Sequence, residues 1–351
     1  MPLFQSLGEQ FQAVIQAGSN GVDQRRDPRL DEIQKRAAAG GGERIPADGG
    51  FLVESEFVPQ LIERMYSTGD ILSRCSELPI SKPNSNGVKF PQFNETSRKN
   101  GSRLGGVVAT WADEAVVVAA SLPRVLTSEL RLRKLLAFIQ LTGELVSDAA
   151  ALETFTTAAF SQEMAFVIEE AIVNGLGVTG PLGILNSTAL IQVSAGAATP
   201  GTIIGQSIAD AVSRLWAPSR KSAIWLVNAA LLPMLQSATI SVGTAGSERL
   251  LYEYATAGES FDRLAGLPLM VSEHCPEAGS VGDILLADFS RYIVARKEAK
   301  SDVSIHVNFL SDQEVLRFVL RVDGQPLDQS PVVPLHGTIS TSPFVAVAAR
   351  Q

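Results

Sequence analysis

Apolar positions along the chain change their rhythm several times, and each change marks an element. Between Ser55 and Ser67, Phe57, Leu61, Ile62 and Met65 recur at helical spacing. Val88-Lys-Phe-Pro91 and Ala115 to Ala120 read as strands, separated by the turn-forming stretch NETSRKNGSRLGG at 94–106. Together they predict an extended β-hairpin, which cannot bury its own faces and needs another surface to lie on. Leu122 to Leu141 alternates apolar with polar residues and predicts further strand. From Ala149 to Asn174 the period becomes helical: Leu152, Phe155, Ala159, Phe160, Met164, Val167, Ile168 and Ile172 recur near 3.6 residues. Ser147-Asp148 supplies the N-cap and Gly175 the stop, giving a helix roughly 39 Å long.

Beyond it the pattern predicts a helix over Ile203–Leu215, a buried strand over Ser222–Val227 and a short helix over Leu231–Gln236. Strands follow over Leu264–Val271, Asp283–Arg296 and Val315–Val322. One long helix, shorter ones and scattered strands without βαβ alternation predict an α+β fold. The first 48 residues differ from everything after them. Asp23 to Arg36 mixes charges at short spacing and predicts a short solvated helix, broken off by AAAGGG at 37–42.

Composition then narrows the function. At 45% hydrophobic residues over 351 positions the chain can bury a large core, and its length suggests about two domains. A net charge of −8 argues against a dedicated nucleic-acid binder. Two cysteines exclude a disulfide scaffold, and with three histidines they leave little for a zinc site. The N-terminus lacks a signal-peptide pattern, and the apolar stretch Ala223–Ala238 contains Asn228, Pro233 and Gln236, so neither secretion nor a membrane span is expected.

Catalytic motifs fail on context. Gly175-Leu-Gly-Val-Thr-Gly180 matches G-x-G-x-x-G, but a dinucleotide site needs that loop to open a helix, and here it closes one. His274 and Cys275 are adjacent, which on a strand would point them to opposite faces. His306 and His336 stand alone, and Glu169–Glu170 and Asp113–Glu114 read as solvated faces. No catalytic, cofactor-binding or metal-binding residues are expected, and no enzyme activity. The cations Arg98, Lys99 and Arg103 at the hairpin tip read either as a solvated tip or as a contact with an acidic partner. Gly177, Gly180 and Gly183 suit tight turns after the long helix, and Phe155, Phe160, Met164 and Ile168 suit its packing on a sheet. A long hairpin, an extended leader and a long helix suit a subunit completed by its neighbours.

The order of these segments from Gly49 to Val347 resembles the major capsid proteins of tailed double-stranded DNA bacteriophages, the HK97-like fold family. Gly49-Gly-Phe-Leu-Val53 before a helix is similar to the family's exit from its N-terminal arm, and the hairpin to its E-loop. Asp148–Asn174 with NGLGVTGPLGIL at 174–185 is similar to the spine helix and its Gly/Pro-rich exit. LAGLPLMVSE (264–273) and GDILLADFSRY (282–292) resemble axial-domain strands, and DQEVLRFVLRVDG (312–324) the long peripheral strand.

The resemblance implies a leader and arm over 1–78 and an E-loop hairpin over 79–126. It implies a peripheral domain over 120–183 and 300–323 with its spine helix at 148–174, and an axial domain over 184–299 and 324–345. It further implies hexamers and pentamers closing an icosahedral shell around DNA contacted non-specifically. The implied partners are other copies of the chain, a portal at one vertex and decoration proteins, together with a separate scaffolding protein or none, since only 48 residues precede Gly49. Assembly in the host cytoplasm, residence in the virion and no membrane contact follow. Where some members form Lys–Asn crosslinks aided by Glu, Arg317 and Gly324 stand at the partner positions whichever of Lys82, Lys89 and Lys99 is offered, so no crosslinks are expected. An encapsulin-type compartment shell, sharing the fold but holding enzyme cargo, is the alternative. A free-standing enzyme and a tail-tube or decoration protein fit the pattern less well.

Overall fold

The computed structural model describes residues 9, 13, 27–30, 51–52, 69–80, 86–93, 95–99, 106–107, 109–112, 125–142, 149–195, 205–242, 247–255, 261–308 and 313–350. The expected joint at 37–42, the helix over 55–67, the strand over 115–120 and the N-cap at 147–148 lie outside these residues.

The first half carries β1 (Phe51–Leu52), β2 (Ser76–Pro79), β3 (Gly87–Phe93), β4 (Val125–Arg131) and β5 (Arg133–Thr142), then the long helix α1 (Ala149–Asn174). Then come β6 (Ile191–Val193), α2 (Gly205–Arg214), β7 (Ile224–Val227), α3 (Leu232–Gln236) and the small hairpin of β8 (Thr239–Val242) and β9 (Ser247–Leu250). The last third holds β10 (Tyr252–Glu253), β11 (Arg263–Leu264), β12 (Leu267–Val271), β13 (Ile284–Ala287), β14 (Tyr292–Asn308), β15 (Gln313–Pro326) and β16 (Phe344–Val347).

Two sheets organise the molecule. In the five-stranded sheet, β14 and β15 form a long antiparallel ribbon, with β5 on the far side of β15. Segments distant in sequence share the other edge of β14: β1 pairs antiparallel at Val303 and Asp302, and β2 pairs parallel from Ile293 to Arg296. Along β5, Leu135, Ala137 and Ile139 pack onto the core while Leu136, Phe138 and Gln140 face out, the period-2 signature of a sheet covered on one side.

The seven-stranded sheet has the order β10-β11-β12-β7-β13-β16-β6. Its central strands, IWLV, ILLA and FVAV, are continuously apolar and buried at every position. Such runs arise when both faces are covered. Ile224 and Leu226 face the core shared with α1, whereas Trp225 and Val227 face Ile208, Ala211 and Leu215 at α2 and its exit. The first of these cores runs without a break from α1 and the five-stranded sheet into the seven-stranded one.

Helix α1 occupies the range that the periodicity predicts. Two other expectations need correction. Leu264–Val271 is a tight hairpin, not one strand, because Ala265 (φ 51°) and Gly266 (φ 79°) turn the chain between β11 and β12. Asp283–Arg296 is broken at Asp288, whose side chain accepts a hydrogen bond from Ser290 N and starts a 3₁₀ turn over Phe289–Arg291. In the hairpin, β3 is paired along its length with β4, from Gly87 opposite Arg131 to Phe93 opposite Val125.

Candidate assembly surfaces

The hairpin is anchored at its root. Gln329 Nε2 donates to Gln92 Oε1 (3.0 Å) and Ser128 Oγ (3.1 Å), joining β3 and β4 to the segment after β15. Ser97 bridges Val333 in parallel, with Arg98 N donating to Val333 O (2.8 Å) and Val333 N to Thr96 O (3.0 Å). Arg98 is therefore engaged within its own chain. Its Nε donates to Glu95 Oε1 at 2.6 Å, and its guanidinium carbon lies 5.4 Å from the Trp216 ring centre. Arg291, held by a two-pronged contact to Asp328 (2.8 and 2.7 Å), lies at the same distance from that ring. Lys99 is exposed, and Arg103 lies outside the described residues.

The sequence pattern singles out these cations but not Trp111, a residue 105% exposed in the excursion between β3 and β4. A large aromatic residue fully in water suits contact with another surface. Its signal was a single tryptophan just beyond the polar, turn-rich stretch at 94–106. Phe138, 60% exposed on the outward face of β5, has Leu136 on the same strand and Lys134, Arg317 and Arg321 near it in register.

The exit of α1 forms a second feature. Gly183 N donates to Gly175 O (2.7 Å), Gly177 N to Pro181 O (3.2 Å), and Leu176 bridges Leu182. Asn186 Nδ2 donates to the carbonyls of Asn174 (2.9 Å) and Gly175 (3.1 Å), closing a helix end whose last carbonyls lack intrahelical donors. The loop terminates a helix, and the segment after it opens only a 3₁₀ turn at Ile184–Asn186. The three glycines play different parts. Gly177 has φ +73°, Gly180 has open space around it, and a Cβ on Gly183 would lie 2.4 Å from Gly175 N. The loop presents Leu176 and Val178 to solvent, while Leu182 N donates to Gly324 O and Tyr292 Oη to Leu182 O, fastening its base to the β14–β15 ribbon.

On α1, Phe160, Met164 and Ile168 are buried, and the Phe160 ring lies 4.1 Å from that of Phe318 on β15. The side chain of Phe155 lies outside the described residues. The opposite side keeps Phe166 and Val167 exposed beside Gln162, Glu163 and Glu170.

Glu169 is not on a solvated face. It is buried, and its Oε1 accepts from Ile71 N (2.7 Å) and Leu72 N (2.8 Å), because the segment leading to β2 crosses α1 at that point. His274 and Cys275 lie in the turn after β12 rather than on a strand, so His274 reaches α1. Burial pushes the Cys275 thiol up to about 12 and raises Cys75 too, so neither supplies a thiolate nucleophile near neutral pH. Among the described residues no cluster of three metal-binding side chains occurs, and no helix is long and apolar enough to cross a membrane.

Comparison with known proteins gives a consistent answer. The model of the Phage capsid family matches residues 49–337. No curated protein matches the chain. Among solved structures, the capsid of an empty GTA particle is 19% identical with a TM-score of 0.56, covering 80% of this chain and 90% of its own. The native GTA particle capsid gives 17% and 0.55, covering 89% and 98%. A Microbacterium phage Oxtober96 structure gives 12% and 0.52, covering 90% and 98%. At these identities the likeness is one of fold.

Proposed function

The chain belongs to the phage capsid family and is a structural subunit of a phage head shell, and from that premise we propose that it tiles an icosahedral shell as hexamers and pentamers around double-stranded DNA. The family match across residues 49–337 carries this reading. In it, residues 184–299 and 324–345, centred on the seven-stranded sheet, form the axial domain around each capsomer's symmetry axis. Residues 120–183 and 300–323, with α1 and the β14–β15 ribbon, form the peripheral domain that meets neighbouring capsomers. Residues 1–78 and the hairpin over 79–126 extend onto adjacent subunits. Trp111, fully in solvent, and Phe138, on an outward sheet face, support that role by offering apolar area that the monomer leaves uncovered.

The acidic balance suits a container that must later release its DNA, because weak contact with phosphate leaves packaged DNA mobile. A solved satellite phage P4 procapsid with this fold includes a size-determination protein. For the present chain a separate scaffolding protein, a portal at one vertex and decoration proteins complete the particle. Assembly takes place in the host cytoplasm.

Electron microscopy of the full chain, expressed alone and sedimented, tests the reading. Closed shells or hexameric rings are expected, by themselves or on adding the scaffolding protein encoded with it. Monodisperse monomers under both conditions would overturn it.

A further inference from the structure

The imidazole of His274 sits between two carboxylates of one helix. Its Nδ1 lies 3.2 Å from Glu170 Oε2 and its Nε2 lies 3.5 Å from Glu169 Oε2. An imidazole has a donor on both nitrogens only when protonated. The neutral ring would turn a lone pair toward one of the carboxylates. His274 itself is buried, with the partly exposed Phe166 ring 4.7 Å from its own, while the Glu170 side chain opens onto solvent. Three separate parts of the chain meet here. Glu169 and Glu170 belong to α1. Asn174 Nδ2, also on α1, donates to His274 O (2.7 Å) and Glu170 Oε1 (2.9 Å). Ile71 and Leu72, on the segment that leads from the N-terminal region into β2, donate their N–H groups to Glu169. His274 itself rides on the turn that follows β12 of the seven-stranded sheet.

We propose that His274 is a proton-operated latch: as an imidazolium bridging Glu169 and Glu170 it holds the seven-stranded sheet, the spine helix and the 69–75 segment in one arrangement, and on losing its proton it loosens that segment. Gly69 makes the crossing possible, since a Cβ there would lie 2.7 Å from Glu169 Oε1.

Burial opposes charge on His274, but its hydrogen bonds to Glu169 and Glu170 outweigh burial and raise its pKa. A histidine whose folded pKa is raised stabilises the fold fully below its unfolded value, and that contribution disappears as pH climbs through the folded value. The latch is closed in mild acid and opens on the alkaline side of the ordinary histidine range. The other charged and titratable groups around it are the Cys75 thiol from the 69–75 segment and, on its own turn, the Cys275 thiol, beyond which Asp283 is paired with the buried Arg350. Burial keeps both thiols neutral, so neither supplies a competing charge.

Hydrogen exchange of the full chain, followed by mass spectrometry on fragments covering 69–75 and corrected for intrinsic rates, tests the proposal between about pH 5 and about pH 9. Protection of that segment should fall severalfold as pH rises, while that of β7 stays constant. His274→Gln should remove the pH dependence, and Glu170→Gln should shift its midpoint downward because one carboxylate no longer holds the proton. If His274→Gln does not fold, the Glu170→Gln comparison and direct titration of the His274 ring by NMR carry the test. Protection that is flat with pH in the native chain, or an unchanged midpoint in Glu170→Gln, would overturn it.

Discussion

At Gly183 the neighbours of an added Cβ are backbone atoms: Gly175 N at 2.4 Å, Val173 O at 2.7 Å and Asn174 C at 2.8 Å. None of these can swing aside as a side-chain tip would. Gly183→Ala should therefore cost about 1–3 kcal/mol of subunit stability, whereas Gly180→Ala, with nothing within 4 Å, should stay within about 0.5 kcal/mol. Denaturant unfolding of the two variants checks the contrast, and equal costs would contradict it. The glycine cluster was legible in the sequence, but its division of labour was not. Only Gly177 uses a positive φ, and close approach of the backbone is invisible in a string of residues. The His274 site was hidden for a similar reason. Glu169 and Glu170 are adjacent, and which of them faces inward depends on where residues 69–75 cross the helix.

Among elements, α1 was legible end to end because it holds 26 residues without Pro or Gly and is followed at once by a glycine. The breaks at Ala265-Gly266 and Asp288 were missed because each lies inside an apolar run, where periodicity speaks for continuity. The hairpin shows a third limit. Its polar excursion was plain, yet β4 pairs with β3 through residues that sequence periodicity had assigned to a separate later strand. For this element the contrast between Trp111 and the cations is testable. Trp111→Ala leaves the subunit's own packing untouched and should raise the concentration needed for assembly roughly tenfold or more, as loss of a central aromatic anchor does. Replacing Lys99 and Arg103 together with Glu, with Arg98 left on Glu95 and Trp216, should weaken assembly with the subunit still folded. Sedimentation and circular dichroism read both outcomes, and normal particles from either variant would remove that residue set from the contact.

For the whole molecule, two sheets joined by one core were only partly legible. The α+β class followed from the mixture of periods, but the pairing of β1 and β2 with β14 joins residues that no local pattern connects. Shell cohesion on this plan rests on many noncovalent contacts. On β15, Arg317 pairs in register with Phe138, and Gly324 lies against Tyr292, its missing Cβ leaving room for that ring. Neither offers the amide or carboxylate that side-chain crosslinking needs. In particles boiled in detergent this subunit should therefore run as a monomer, and a ladder of its multimers would contradict this.

The same long-range pairing sets a timetable for synthesis. Phe51 finds Val303 and Ser76 finds Ile293, so the earliest-made strands of the five-stranded sheet have no partner until the last third of the chain has left the ribosome. A chain cut short before Tyr292 lacks the ribbon on which β1, β2 and β5 depend. Nascent and truncated chains thus cannot complete the surface that neighbours would recognise, and vectorial translation itself keeps unfinished subunits out of the lattice.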